Sequence, residues 1–149
     1  RLFSPNKALG LTGVRAAYAI APVHAQAAAV ALDAMAPSWV LGAHGLAMLH
    51  SWAQPDTQAW VAQGLNVLRA WKDQQISALE SAGWTVMPSD ANFFCARPPE
   101  GQDLPSMLQA LRKQGIKLRD ATSFGLPGWA RLGVLPPDAV DALCGALHT

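Results

Sequence analysis

The stretch Ser4-Pro-Asn6-Lys7-Ala-Leu-Gly10-Leu-Thr-Gly13-Val-Arg15 sets one lysine inside an apolar, glycine-punctuated run. A serine stands three residues before it and an arginine eight after, and no other charge falls between Lys7 and Arg15. Such a segment supplies an amine able to condense with an aldehyde, and a hydroxyl and a guanidinium able to grip a phosphate. A lysine among small apolar neighbours is expected to lose solvation, which favours its neutral, nucleophilic form. Gly10 and Gly13 allow tight turns and a close backbone approach to a ligand. Read in isolation, Lys7 would be an ordinary solvated lysine; its neighbours argue otherwise.

The chain outward from this segment is globular in composition. It has 149 residues, 51% hydrophobic and 14% charged, enough to bury one sizeable core. Eleven basic and ten acidic residues leave a net charge of +1, with no basic stripe of the kind nucleic acid or an anionic membrane requires. Cys95 and Cys144 are too few and too far apart for a disulfide framework, and read as reduced thiols of a cytoplasmic protein. The uncharged run from Ala34 to Pro55 is long enough to suggest a membrane span. Its Pro37, Gly42, His44, His50 and Gln54 argue for a soluble helix pair.

Arg1-Leu-Phe reads as the end of a strand, and Val14–Ile20 as a short buried strand stopped by Pro22. Gln26–Met35 is an alanine-rich helix. Ser38 is the expected N-cap of a second helix to about Trp52, loosened by Gly42 and Gly45. Asp56 caps a long helix after Pro55, with Val61, Leu65, Leu68, Ile76 and Leu79 on one side and Gly83 as terminator. Trp84–Met87 and Asn92–Ala96 are strands joined by a turn at Pro88-Ser-Asp90. Leu104–Gln114 is an amphipathic helix closed by Gly115. Ile116–Arg119 and Trp129–Val134 are two further strands, and a last helix begins at Pro136-Pro-Asp138 and runs to about His148. This order predicts an α+β sandwich, helices covering one face of a mainly antiparallel sheet.

On the strand at 129–134, Ala130, Leu132 and Val134 share one face, so Arg131 points the other way beside Trp129. An arginine emerging from an apolar strand after a glycine-rich loop needs an anionic partner: Asp120, Asp138 or a ligand. The six tryptophans, at 39, 52, 60, 71, 84 and 129, read as packing rather than as a binding ladder. The four histidines and two cysteines form no metal-ligand spacing, and no Ser-His-Asp triad or nucleotide-phosphate loop is present.

The lysine segment resembles the cofactor-lysine motif of fold-type I pyridoxal-phosphate enzymes, the aspartate aminotransferase superfamily. Pro88-Ser-Asp-Ala-Asn92-Phe-Phe94 is similar to the S-x-A-N-F stretch of its histidinol-phosphate aminotransferase and threonine-phosphate decarboxylase branch. Gly115-Ile-Lys-Leu-Arg119-Asp120 is similar to that branch's G-I/V-x-V/L-R-D stretch. The resemblance implies that Lys7 bonds the aldehyde of pyridoxal 5'-phosphate, with Ser4 and Arg15 on its phosphate. Asn6 stands where relatives often carry Ser or Thr and would add a donor. It implies that Arg131 forks onto the substrate α-carboxylate, with Arg119 on a distal anion and Asn92 near the mouth of the site.

By the same resemblance the chain looks like the back end of an aminotransferase. Residues 1–22 would close the large cofactor domain, 23–53 would form connecting helices, and 54–149 the C-terminal small domain. The parent would be a homodimer using an amino acid and a 2-oxo acid. The Asp, Tyr, Asn and stacking aromatic that relatives place upstream of the lysine are not in this segment. The 149 residues alone are therefore expected to be inactive and to bind the cofactor weakly or not at all. Two alternatives compete: a threonine-phosphate decarboxylase of cobalamin biosynthesis, and a non-catalytic α+β interaction module.

Overall fold

A computed structural model describes residues 1–147; His148, the expected end of the last helix, lies outside the described residues. The chain divides into two compact units at Gly64–Leu65, and each is taken by itself.

In the first unit, β1 (Leu2–Phe3) pairs antiparallel with β2 (Tyr18–Ala19), and the rings of Phe3 and Tyr18 stack 5.0 Å apart. The strand expected over Val14–Ile20 is thus two residues long, and it is not buried: Ile20 is 55% exposed. The intervening segment, residues 4–15, is occupied by turns rather than by an extended chain, because Gly10 takes a left-handed φ of 69°. Helix α1 (Gln26–Ala34) forms where alanine favours it but has no buried residue.

Helix α2 (Ala43–Trp52) starts four residues later than expected. Gly42, extended at φ −77° and ψ 163°, is its N-cap, and Ser38 caps nothing. Glycine serves at an N-cap almost as well as a hydroxyl residue, while Trp39 and the β-branched Val40 gain nothing from a helical turn. Trp52 donates its indole N–H to the Tyr18 hydroxyl at 3.0 Å, tying the end of α2 to β2. Trp39 and Trp60 do not pack as expected; they are 91% and 59% exposed.

Helix α3 (Pro55–Ser81) begins at a proline, whose missing N–H costs nothing there, and spans the boundary between the units. It ends in a Schellman motif. Gly83, at φ 80°, donates to Glu80 O, and Trp84 N–H closes back onto Leu79 O at 3.0 Å.

The second unit holds a four-stranded antiparallel sheet, built from β3 (Thr85–Val86), β4 (Phe93–Arg97), β5 (Arg119–Asp120) and β6 (Ala130–Gly133), in spatial order β3-β4-β6-β5. Strand alternation decides its two faces. Phe94, Ala96, Ala130 and Leu132 are at most 2% exposed and meet Leu79 of α3, Leu104 and Leu111 of α4 (Leu104–Lys113), and Leu143 of α5 (Pro137–Leu147). Helix α4 starts on Asp103, whose carboxylate accepts the Ser106 N–H at 3.0 Å, and ends in the same Schellman arrangement at Gly115, φ 81°. Helices on one face of an antiparallel sheet make this the expected α+β class. Strand β5 is two residues, Arg119 and Asp120, rather than the expected Ile116–Arg119, because Gly115, Ile116 and the turn that ends α4 occupy its start.

Two polar side chains of α3 fasten the sheet to it. Gln75, 2% exposed, donates its amide to Gly133 O at 3.2 Å and accepts the Leu135 N–H at 3.3 Å. One turn earlier, the Lys72 ammonium donates to the carbonyls of Ser89 and Ala91, which holds the turn leading into Asn92 and β4. Among the described residues no helix is long and apolar enough to cross a membrane, and no group of three His, Cys, Asp or Glu could hold a metal ion.

Candidate functional site

Within the first unit, Ser4, Asn6, Lys7 and Arg15 line one cavity of about 950 Å³, together with Ala16, Ala17, Val40 and Leu41. Four residues spread over twelve positions converge because the chain turns back on itself between them. Leu9 N–H reaches Pro5 O, Leu11 N–H reaches Asn6 O at 2.7 Å, and Val14 N–H reaches Leu11 O. Asn6 is the buried pivot, 7% exposed: its Oδ1 accepts the Ser4 hydroxyl at 2.9 Å and the Lys7 backbone N–H at 3.0 Å.

Among the described residues no buried side-chain polar atom lacks a partner. The Asn6 amide nitrogen, which bonds to no protein group, is therefore not sealed from solvent, and Asn6 lines the cavity. Lys7 itself is exposed, so its apolar neighbours do not desolvate it as the sequence suggested. Ala8 is exposed and Leu11 is 42% exposed; they lie along the surface rather than around the amine.

Gly45 has a second effect beside its cost in helix propensity: it lets the helix approach the cavity wall. A Cβ there would stand 3.1 Å from Ala16 Cβ and 3.2 Å from the Arg15 carbonyl oxygen. Glycine is what allows the first turn of α2 to back the Arg15–Ala16 segment.

In the second unit the sheet face away from the helices carries the other candidate residues. Arg119, Arg131 and Cys95 lie in one row across β5, β6 and β4, as direct partners in the ladder. Arg131 lies opposite in facing to Ala130 and Leu132, as the strand pattern required. Trp129 sits one row along the same face, beneath the Arg97 guanidinium at 5.4 Å. Among the described residues Arg131 and Arg119 pair with no carboxylate. Asp120 is engaged by Thr122, whose side chain and then backbone N–H hold its carboxyl below the usual carboxylate range. Asn92 is exposed at the head of β4, and its backbone carbonyl accepts the Val134 N–H at 3.0 Å.

The first unit thus gathers an amine, a hydroxyl, an amide and a guanidinium. That donor set suits a phosphorylated aldehyde: one nucleophile for the carbonyl, and several donors with a fixed cation for the phosphate. Pyridoxal phosphate fits it.

Comparison with known proteins agrees. The family model described as aminotransferase class I and II matches residues 4–147. A histidinol-phosphate aminotransferase of Nitratidesulfovibrio vulgaris is 33% identical over 136 residues, covering 87% of this chain and 33% of that protein. The solved histidinol-phosphate aminotransferase of Clostridium acetobutylicum superposes with a TM-score of 0.80 at 19% identity, over 98% of this chain and 43% of that one. The L-threonine-O-3-phosphate decarboxylase of Porphyromonas gingivalis superposes at 0.68 and 20% identity, over 99% of this chain and 45% of that one. The chain spans about a third of the length of the curated relatives it matches. With the lysine cavity, the antiparallel sheet and these likenesses together, the chain belongs to the class I and II aminotransferases, the fold-type I pyridoxal-phosphate-dependent family.

Proposed function

We propose that the full-length protein is a pyridoxal-phosphate-dependent aminotransferase of the histidinol-phosphate type, moving an amino group between an amino acid or amino-phosphate and a 2-oxo acid. The observation that carries this reading is the convergence of Ser4, Asn6, Lys7 and Arg15 on one cavity. Lys7 Nζ would bond the cofactor aldehyde, and Ser4, Asn6 and Arg15 would hold its phosphate. The bound cofactor supplies an electron sink for the bonds of the substrate Cα. The chain supplies the rest. Arg131 forks onto the substrate α-carboxylate and fixes the direction of its Cα–H, Arg119 receives a second anionic group, and Asn92 borders the mouth. Lys7 Nζ, released from the aldehyde when the substrate amine takes its place, would take the proton from Cα.

In this reading residues 1–22 finish the large domain, 23–53 connect, and 54–149 form the small domain. The protein works in the cytoplasm as a homodimer, without nucleic acid or membrane. Exposed Val23, Met35 and Trp39, 97%, 82% and 91% exposed, support burial against further protein. The decarboxylase alternative draws on likeness of fold alone. A non-catalytic module would have no use for the lysine cavity.

Reduction with borohydride in the presence of pyridoxal phosphate, followed by peptide mapping of the full-length protein, tests the proposal. Label is expected on Lys7. Label on any other lysine removes it, and carbon dioxide release from O-phosphothreonine without amino transfer would select the decarboxylase.

A further inference from the structure

Arg119 and Arg131 face each other directly across the β5–β6 ladder. Like charges in that position repel, and neither has a carboxylate among the described residues to relieve it. What lies against both is one phenyl ring. The Arg119 guanidinium carbon is 4.5 Å from the centroid of Phe124 and that of Arg131 is 5.4 Å from the same ring, with Phe93 at 5.2 Å on Arg131. Phe124 is 49% exposed, so burial does not account for a phenylalanine there. Two cations on its ring do.

The ring is placed by local structure. Phe124 ends a 3-10 turn, Thr122–Phe124, whose root residue Ala121 is fully buried and bonded to Trp129 O at 2.9 Å. Asp120, just before the turn, accepts the Thr122 N–H at 2.8 Å, and Gly125 closes the turn in the left-handed region at φ 78°. The acid beside Arg119 in sequence therefore shapes the turn that presents the ring, instead of neutralising the arginine.

We infer that Phe124 is a positioning residue: its ring holds Arg119 and Arg131 as a two-guanidinium fork, uncompensated and open to the anionic groups of a substrate. This rests on the aminotransferase reading above. An acidic side chain could orient the two arginines as well, but it would compete with the incoming carboxylate. An aromatic face orients them and leaves both charges available.

The test uses the full-length protein loaded with pyridoxal phosphate and the variants Phe124→Leu and Phe124→Tyr. Phe124→Leu is expected to raise KM for the amino donor about tenfold with kcat within about twofold, since orientation of the binding arginines is what it loses. Phe124→Tyr keeps the aromatic face and is expected to stay within about twofold of the parent on both constants. Calorimetric titration with succinate, a dicarboxylate probe, is expected to give the same order of affinities. An unchanged KM for Phe124→Leu overturns the inference, as does an equal loss in Phe124→Tyr. If the parent protein turns over no amino donor, the aminotransferase reading fails, and the succinate titration then decides alone. No succinate binding to the parent, or equal binding by the parent and Phe124→Leu, overturns the inference.

Discussion

Replacing Gly45 by alanine sets two effects of known sign against each other. In the first turn of α2 the exchange gains helix propensity, about 0.8–1.0 kcal/mol. The new methyl, however, would stand 3.1 Å from Ala16 Cβ and 3.2 Å from the Arg15 carbonyl oxygen, against an ordinary contact of about 3.5–4.0 Å. The obstacles are backbone and a Cβ rather than the free end of a long side chain, so the segment at 15–16 must recede by about 0.5 Å. Overpacking of this kind costs about 1–3 kcal/mol. The steric term wins, and a net loss of about 1 kcal/mol is expected.

The larger consequence falls on the cavity. Ala16 O accepts the Ser4 hydroxyl at 3.4 Å, a bond already long, and Arg15 precedes it. Moving that segment breaks the contact and, if Arg15 grips the cofactor phosphate as proposed, turns its guanidinium away from it. A hydrogen bond to a charged group contributes about 1.5–3 kcal/mol, so cofactor affinity is expected to fall about tenfold or more. The measurement is an absorbance titration of the cofactor-free, full-length protein with pyridoxal phosphate, beside a thermal melt. A Gly45→Ala protein that melts higher and binds the cofactor as tightly as its parent would show that the segment yields freely, and the spacing argument would fall.

Two further perturbations read the second unit. Gln75→Ala leaves Gly133 O and Leu135 N–H without their buried partner and is expected to cost about 2–6 kcal/mol in denaturant titration, at about 1–3 kcal/mol per orphaned group; a loss below about 0.5 kcal/mol would mean water or a rearranged strand replaces it. Asp103, its carboxyl held low by the Ser106 side chain and then its N–H, stabilises the folded state above the ordinary aspartate value of about 3.9 and loses that contribution as pH falls through its lowered value. The melting-temperature gap between parent and Asp103→Ala should therefore be constant above about pH 5 and close at lower pH; a gap unchanged at about pH 2.5 would assign the cap to something other than the carboxylate.

What the sequence discloses here depends on whether local and non-local forces ask for the same residue. Gly83 and Gly115 are legible as helix terminators because a left-handed backbone tolerates little else, whatever packs nearby. Phe94 with Ala96, and Ala130 with Leu132, are legible because a strand has only two faces and one of them meets three helices. The first unit defeats the same logic. Its Ile20, Val30, Leu32 and Trp39 are apolar yet exposed, so an apolar run there does not mark a buried strand or a packed helix. Phe124 was invisible because its partners come from opposite sides of a ladder whose register no local pattern reveals.

The residue before the lysine shows how chemistry and architecture share one cavity. Ser4 has a single hydroxyl proton, and it points at Asn6 Oδ1 with Ala16 O as the weaker alternative. A phosphate dianion only accepts, so a serine that grips it must withdraw that proton from Asn6. Asn6 can release it without becoming an orphan, because Oδ1 keeps the Lys7 N–H at 3.0 Å and the amide nitrogen, not sealed from solvent, has two protons of its own. A serine or threonine at position 6 could donate to the phosphate through one proton alone. Asparagine can hold the Lys7 turn with one end and would be free to donate to a phosphate with the other, so gripping an anion would not require the turn to open.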